Sequence, residues 1–244
     1  ASACGRHRLM GNVCGRRRKA ANLLPSENGC YSASGHHWDL RVVCISDTHS
    51  FHRTLGEIPD GDVLIHAGDF TLFGKEDHVR DFNDWLGSLP HKTKLVTVGN
   101  HENNADWNKR AAQLLTNAIL LRNSRFELPA VFEQGATSTS GRSSVVFYGT
   151  DFYWPCKGAN PYFEQIPSDV DILIAHGPAK GFADGDKGCE SLRSTVERIR
   201  PKLVVSGHIH FAYGVAELNY GRGSSTLFVN AANCGSGKEE RQIM

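Results

Sequence analysis

The sequence predicts an α/β domain, and three observations predict it. Short runs rich in Val, Ile and Leu recur between residues 41 and 230, too short for helices and mostly ending at Gly, Asp or His. Amphipathic stretches of helix length lie between some of them, and this alternation is that of strands and helices packed in layers. The 244 residues, 40% hydrophobic and 22% charged, suffice for one sizeable core.

In chain order, residues 41–46, 62–67, 94–98, 144–148, 171–175, 203–206 and 226–230 are the expected strands. Residues 75–89 form an expected helix, with Val79, Phe82, Trp85, Leu86 and Leu89 on one face. Residues 106–116 and 190–200 are expected helices, the latter stopped by Pro201. Residues 135–144, rich in Ser, Thr and Gly, are expected to be a surface loop rather than a linker.

Residues 1–40 show no sustained apolar period and are expected to be a basic extension, disordered or targeting-like, ahead of a catalytic domain at 41–244. Residues 1–39 carry six Lys/Arg, including Arg16–Lys19, and two Asp/Glu, while the rest carries 21 basic and 24 acidic residues. The body is therefore not a basic nucleic-acid surface, and its clustered carboxylates suit cations better. Seven cysteines without CxxC spacing argue against a disulfide scaffold or a zinc-cysteine module. They favour a reducing compartment, cytoplasmic by default, with organelle targeting by residues 1–40 as the alternative. No apolar run has the length of a membrane span.

Five blocks follow five of the apolar runs: Asp47-Thr48-His49, Gly68-Asp69, Gly99-Asn100-His101-Glu102, His176-Gly177 and Gly207-His208-Ile209-His210. Open α/β sheets bind ligands at the carboxyl ends of their strands, so five such loops can surround one point. In extended backbone, Asp47 with His49 and His208 with His210 would leave the same side and reach one metal site. Carboxylate, imidazole and amide oxygen donors suit Mn, Fe or Zn, with Mg as a further candidate. No block is specific alone, since Gly-Asp also occurs at Gly61-Asp62 and Gly185-Asp186. The ordered set, each member following an apolar strand, is what carries the reading.

The chain resembles the calcineurin-like metallophosphoesterases over residues 41–233, and most of all their metallophosphoesterase-domain-containing branch, which is similar to a brain-type vertebrate phosphodiesterase pair. The resemblance rests on Ile45–Ser50, on residues 62–71, on Gly99–Glu102, on His176-Gly177-Pro178, and on Gly207–His210 with Tyr213-Gly214. It implies a four-layer αββα sandwich and a metal-dependent phosphoester hydrolase with two divalent ions and a bridging hydroxide as nucleophile. It implies Asp47, His49 and His210 on one metal, Asn100, His176 and His208 on the other, and Asp69 between them. His101 would give a proton to the leaving group, and Glu102 would orient His101. The implied substrate is a small phosphodiester, with nucleotides and cyclic nucleotides as candidates. A phosphomonoesterase or protein phosphatase is the second enzyme reading, and a catalytically silent scaffold binding a protein is the reading of another class.

Three departures bear on these expectations. Some of its members carry glycine at the position of His210, so a complete set here implies a more competent two-metal enzyme. Residues 152–168 look shorter than in the vertebrate members, and their aromatics Tyr153, Trp154, Tyr162 and Phe163 could stack on a nucleobase or pack beneath a loop. The polar tail to Met244 suggests a differently covered sheet edge, because the family usually adds another apolar strand there. Among the remaining groups, His66 is expected in the core and His36, His37, His78 and His91 at the surface. His52 and Arg53 could contact a substrate phosphate. Cys44 and Cys234 are expected to be small buried hydrophobes. Asp184 and Asp186 are expected on a solvated loop or the site rim.

Overall fold

The computed structural model describes residues 40–129 and 144–233. The expected basic extension with His36 and His37, the Ser/Thr-rich loop, Cys234 and the polar tail lie outside these residues. Two sheets form the centre. The first is parallel, in the order β1 (Val42–Ile45), β2 (Val63–His66), β3 (Thr93–Val96), β4 (Ile119–Leu120). The second runs β5 (Ser124–Pro129), β6 (Ser144–Gly149), β7 (Ile172–Ile174), β8 (Leu203–Ser206), β10 (Ser224–Asn230), β9 (Gly214–Gly221). Its inner four strands are parallel and its two edges antiparallel.

Alternation along the strands sorts the core into three seams, because successive side chains leave opposite faces. Val43, Ile45 and Leu64 face Val79, Phe82 and Leu86 of α1 (Glu76–Ser88). Cys44, Val63, Ile65 and Leu95 face Val145, Phe147, Ile174 and Val205 across the two sheets. Val146, Leu173 and Val204 face Phe163, Leu192 and Val196 on the far side. The result is helices, sheet, sheet, helices: the four-layer sandwich implied by the resemblance. Among the described residues no helix is long and apolar enough to cross a membrane.

All seven expected strands are present. Residues 106–116 do not form one helix: Trp107 Nε1 donates to Gly74 O at 2.6 Å and Asn108 Nδ2 to Glu102 O at 2.8 Å. These tertiary anchors favour a 3-10 turn at Asn108–Arg110 followed by the single turn Ala111–Leu114. Strands β4, β5 and β9 are additions. They are three of the four sheet-edge strands, half-exposed and mixed in composition, so no apolar run marks them. The sheets are also joined end to end. Ser46, just past β1, bridges Ala232, just past β10; Asn233 N donates to Ser46 O at 2.8 Å and Ser46 N to Asn233 Oδ1 at 3.3 Å.

Candidate metal centre

The five blocks do meet at one rim, but not through extended backbone. Asp47, His49, Asp69 and His208 have φ of 55°, 43°, 55° and 65°. Non-glycine residues in this left-handed region are strained, and such strain gathers at functional sites. The pairs Asp47/His49 and His208/His210 therefore converge through tight turns rather than through strand alternation. The turns are stitched together: Asp47 N donates to Gly68 O and His49 N to Asp69 O, both at 3.0 Å. Gly207 lets the loop after β8 approach, since a Cβ there would lie 2.0 Å from Asp47 Oδ2. In that approach His208 N donates to Asp47 Oδ2 at 2.9 Å.

The donors fall into overlapping groups: Asp47, His49 and His210; His49, Asp69 and His101; Asp69, His176 and His208. Asp47 Oδ1 lies 3.1 Å from His210 Nε2, which lies 3.3 Å from His49 Nε2. His176 Nε2 lies 3.2 Å from Asp69 Oδ2 and 3.2 Å from Asn100 Oδ1. His101 Nε2 is 3.8 Å from Asp69 Oδ2, while its backbone N–H holds Asp69 Oδ1 at 2.9 Å.

The outer partners of these rings test the fit to a cation. A carbonyl can only accept, so a ring nitrogen facing one carries the proton. His176 Nδ1 faces Ala67 O at 2.8 Å and His49 Nδ1 faces Thr71 O at 3.4 Å. With both rings neutral, the Nε2 lone pair of His176 points at Asp69 Oδ2 and Asn100 Oδ1 and that of His49 at His210 Nε2, atoms that are also lone-pair donors. Such convergence is unfavourable without a cation and favourable with one. Asp69 and Asp47 are both buried, yet the neighbouring His176 keeps each carboxyl below the usual range. Burial alone would lower His176, but Asp69 and Asp47 outweigh it and lift the ring from 6.5 to about 9. Burial and His176 together pull His208 down to about 4.

A pH dependence follows. Below about 9 the metal-free His176 carries a proton, which an ion taking His176 as a ligand would have to displace. Manganese affinity is expected to rise by roughly tenfold per pH unit from pH 7 and to level off above pH 9. The stability contributed by that proton is full below pH 6.5 and lost as pH rises through about 9, so metal-free protein should weaken over the same window. Calorimetric titration with Mn at several pH values tests this; a flat profile would remove His176 from the donor set.

Glu102 is placed differently from expectation. It does not orient His101, whose Nδ1 faces Leu72 O instead. The buried Glu102 carboxylate accepts from Asp69 N, Thr71 N and Gly99 N, each at 2.9 Å, and from Thr71 Oγ1 at 2.7 Å. It sits at the third residue of α2 (Asn100–Asn103), where a carboxylate folds back to cap the helix start. Burial and Asp69 push it up to about 7, against the pull of its donors.

Other expectations sort similarly. His66 is a core residue, held between Thr48 Oγ1 at 3.0 Å and Gly68 N at 3.3 Å. His52 and Arg53 turn to Asp81 on α1, at 2.9 and 2.8 Å, rather than to a phosphate. His91 is buried against Pro59 O, not at the surface. Asp184 is buried and pins its own loop through Gly181 N and Gly188 N, at 2.9 and 2.8 Å. The aromatics of residues 152–168 divide. Phe163 is core, and Tyr153 stacks on Tyr162 at 4.6 Å. Trp154 stands 4.2 Å from the His208 ring, and Phe152, which no motif singles out, lies 5.5 and 5.3 Å from His176 and His208.

A family model described as calcineurin-like phosphoesterase matches residues 40–212. A UPF0046 protein of Caenorhabditis elegans is 35% identical over 230 residues, covering 82% of this chain and 72% of its own. Metallophosphoesterase domain-containing protein 1 of Homo sapiens is 38% identical over 226 residues; the match covers 80% of this chain and 66% of the human protein. Among solved structures, one from Thermus thermophilus aligns with a TM-score of 0.53 at 11% identity, covering 78% of this chain and 87% of that one, a likeness of fold alone.

Proposed function

The chain belongs to the calcineurin-like phosphoesterase family, and from that premise we propose that it is a phosphodiesterase of small organic phosphates, nucleotides and cyclic nucleotides among them, with two divalent ions at the centre. The observation that supports this best is that two of the donor groups meet at Asp69, one carboxylate within reach of His49 on one side and of the pair His176/His208 on the other. Asp47, His49 and His210 would hold one ion, Asn100, His176 and His208 the other, and Asp69 would be shared. When bound, the ions supply Lewis-acid charge to the phosphoryl oxygens and make water acidic enough to attack at neutral pH.

The chain's own residues supply the rest. With Nδ1 fixed on the Leu72 carbonyl, His101 would turn Nε2 to the leaving oxygen, so a proton given there moves from one fixed atom. Glu102 fixes the backbone that carries Asp69. Phe152 and Trp154 cover the His176/His208 side and limit water there. Metal analysis of purified protein followed by a manganese-dependent ester panel tests the proposal. The expected result is two ions per chain and faster turnover of bis-p-nitrophenyl phosphate and 2′,3′-cyclic nucleotides than of p-nitrophenyl phosphate. Faster monoester turnover would replace the reading with a phosphomonoesterase, and a metal-loaded but inert protein would favour the scaffold.

A further inference from the structure

The centre has a closed side and an open side. His176 is fully covered, whereas the side chains of His101 and His210 are 29% and 31% exposed. Five large hydrophobic residues are exposed among those described, and three of them sit on the loops of the open side: Phe51 at 56%, Phe73 at 73% and Phe211 at 64%. Phe51 comes two residues after His49, whose ring is 4.5 Å from that of His101 and 5.2 Å from that of His210. Phe73 follows Leu72, the residue whose carbonyl meets His101. Leu72 N also donates to Ser50 Oγ at 3.2 Å, which brings the positions of Phe73 and Phe51 side by side. Phe211 follows His210 and lies on Gly185, where a Cβ would come within 2.2 Å of its ring.

Three exposed aromatic rings on loops that carry or adjoin His49, His101 and His210 can act together as a contact surface, and the chemistry next door limits what they would contact. Whatever ester reaches His101 must lay its organic group across this side. We infer that Phe51, Phe73 and Phe211 form a rim that selects phosphoesters carrying a flat apolar group, which stacks on the rings while the phosphate enters the centre. The inference rests on the phosphoesterase reading above. Aliphatic or small alcohols would gain nothing from the rim, because stacking and burial both need a ring-sized surface.

The test uses metal-loaded protein and two ligands that cannot be hydrolysed, phenylphosphonate and methylphosphonate, with binding followed by calorimetry. Wild type is expected to bind phenylphosphonate about tenfold more tightly, the size of a single stacking contact. Phe73→Ser should erase most of that margin and leave methylphosphonate unchanged, and the triple variant with Phe51→Ser and Phe211→Ser should erase all of it. These residues are exposed, so each variant should melt with wild type. Equal affinities in wild type, or a margin that survives the triple variant, would overturn the inference. So would a triple variant that loses self-association or vesicle binding while keeping the margin. Binding does not require turnover, so an inert ester panel would sink the hydrolase reading while leaving this measurement readable.

Discussion

Asp69→Asn is expected to lower manganese-dependent hydrolysis of bis-p-nitrophenyl phosphate by about a thousandfold or more, while the protein stays folded. The loss is of the size seen when one preorganised charge-stabilising group is removed from a hydrolytic site. The substitution keeps shape: the amide oxygen can still accept from His101 N, which holds Asp69 Oδ1 at 2.9 Å. What it removes is the negative charge that, ahead of Asp47, raises His176 and that belongs to both the His49/His101 and the His176/His208 donor groups. Metal stoichiometry should fall with activity, and the affinity of the remaining ion should lose its pH dependence. A variant within tenfold of wild type would mean that Asp69 is not shared between two ions.

Glu102→Ala is expected to act first on stability. Three backbone N–H groups and the Thr71 hydroxyl converge on a carboxylate with no solvent contact. Orphaned buried donors cost about 1–3 kcal/mol each when unmade, with some relief from rearrangement. A net loss of about 4 kcal/mol corresponds to a fall of roughly 8–16 °C in Tm for a domain of this length. Circular dichroism melts measure it. Glu102→Gln should recover part of the loss, because one carbonyl oxygen remains to accept. If Glu102→Ala melted within about 2 °C of wild type, the four contacts would carry no net energy. Activity should drop in both variants because Asp69 and Gly99 lose a common anchor.

The candidate donor set was legible in the sequence because its residue types are chemically demanding and stand where strands end. Val63–Ile65 ahead of Asp69, or Leu203–Val205 ahead of His208, can be recognised without knowing what lies opposite. How the donors converge was not legible. Left-handed φ at Asp47, His49, Asp69 and His208 is imposed by the neighbouring loops, and no local rule requires it of Asp or His. Glu102 shows the same limit: its position beside His101 suggested a partner in sequence, but α2 turns the carboxylate back toward Gly99 and Thr71. His91, expected at the surface, and His52, expected near a substrate phosphate, are buried by tertiary packing against Pro59 and Phe82. Edge strands β4, β5 and β9 escaped because half-exposed strands carry no continuous apolar run.

The joint between Ser46 and Ala232–Asn233 has a consequence for the order of events during synthesis. Ser46 directly precedes Asp47, and its backbone is held by residues made 186 positions later. At about 5–20 residues per second, a nascent chain waits roughly ten to forty seconds between releasing the first donor and releasing the segment that pins it. Through that interval the loop bearing Asp47 and His49 lacks its final tether, and the opposing histidines His208 and His210 arrive only near the end. An ion met early would lack His208 and His210, one imidazole from each of the two proposed ligand sets. Assembly of the centre is thus a late event, coupled to closure of the second sheet on the first, and stalled or shortened translation products should leave the ribosome without it.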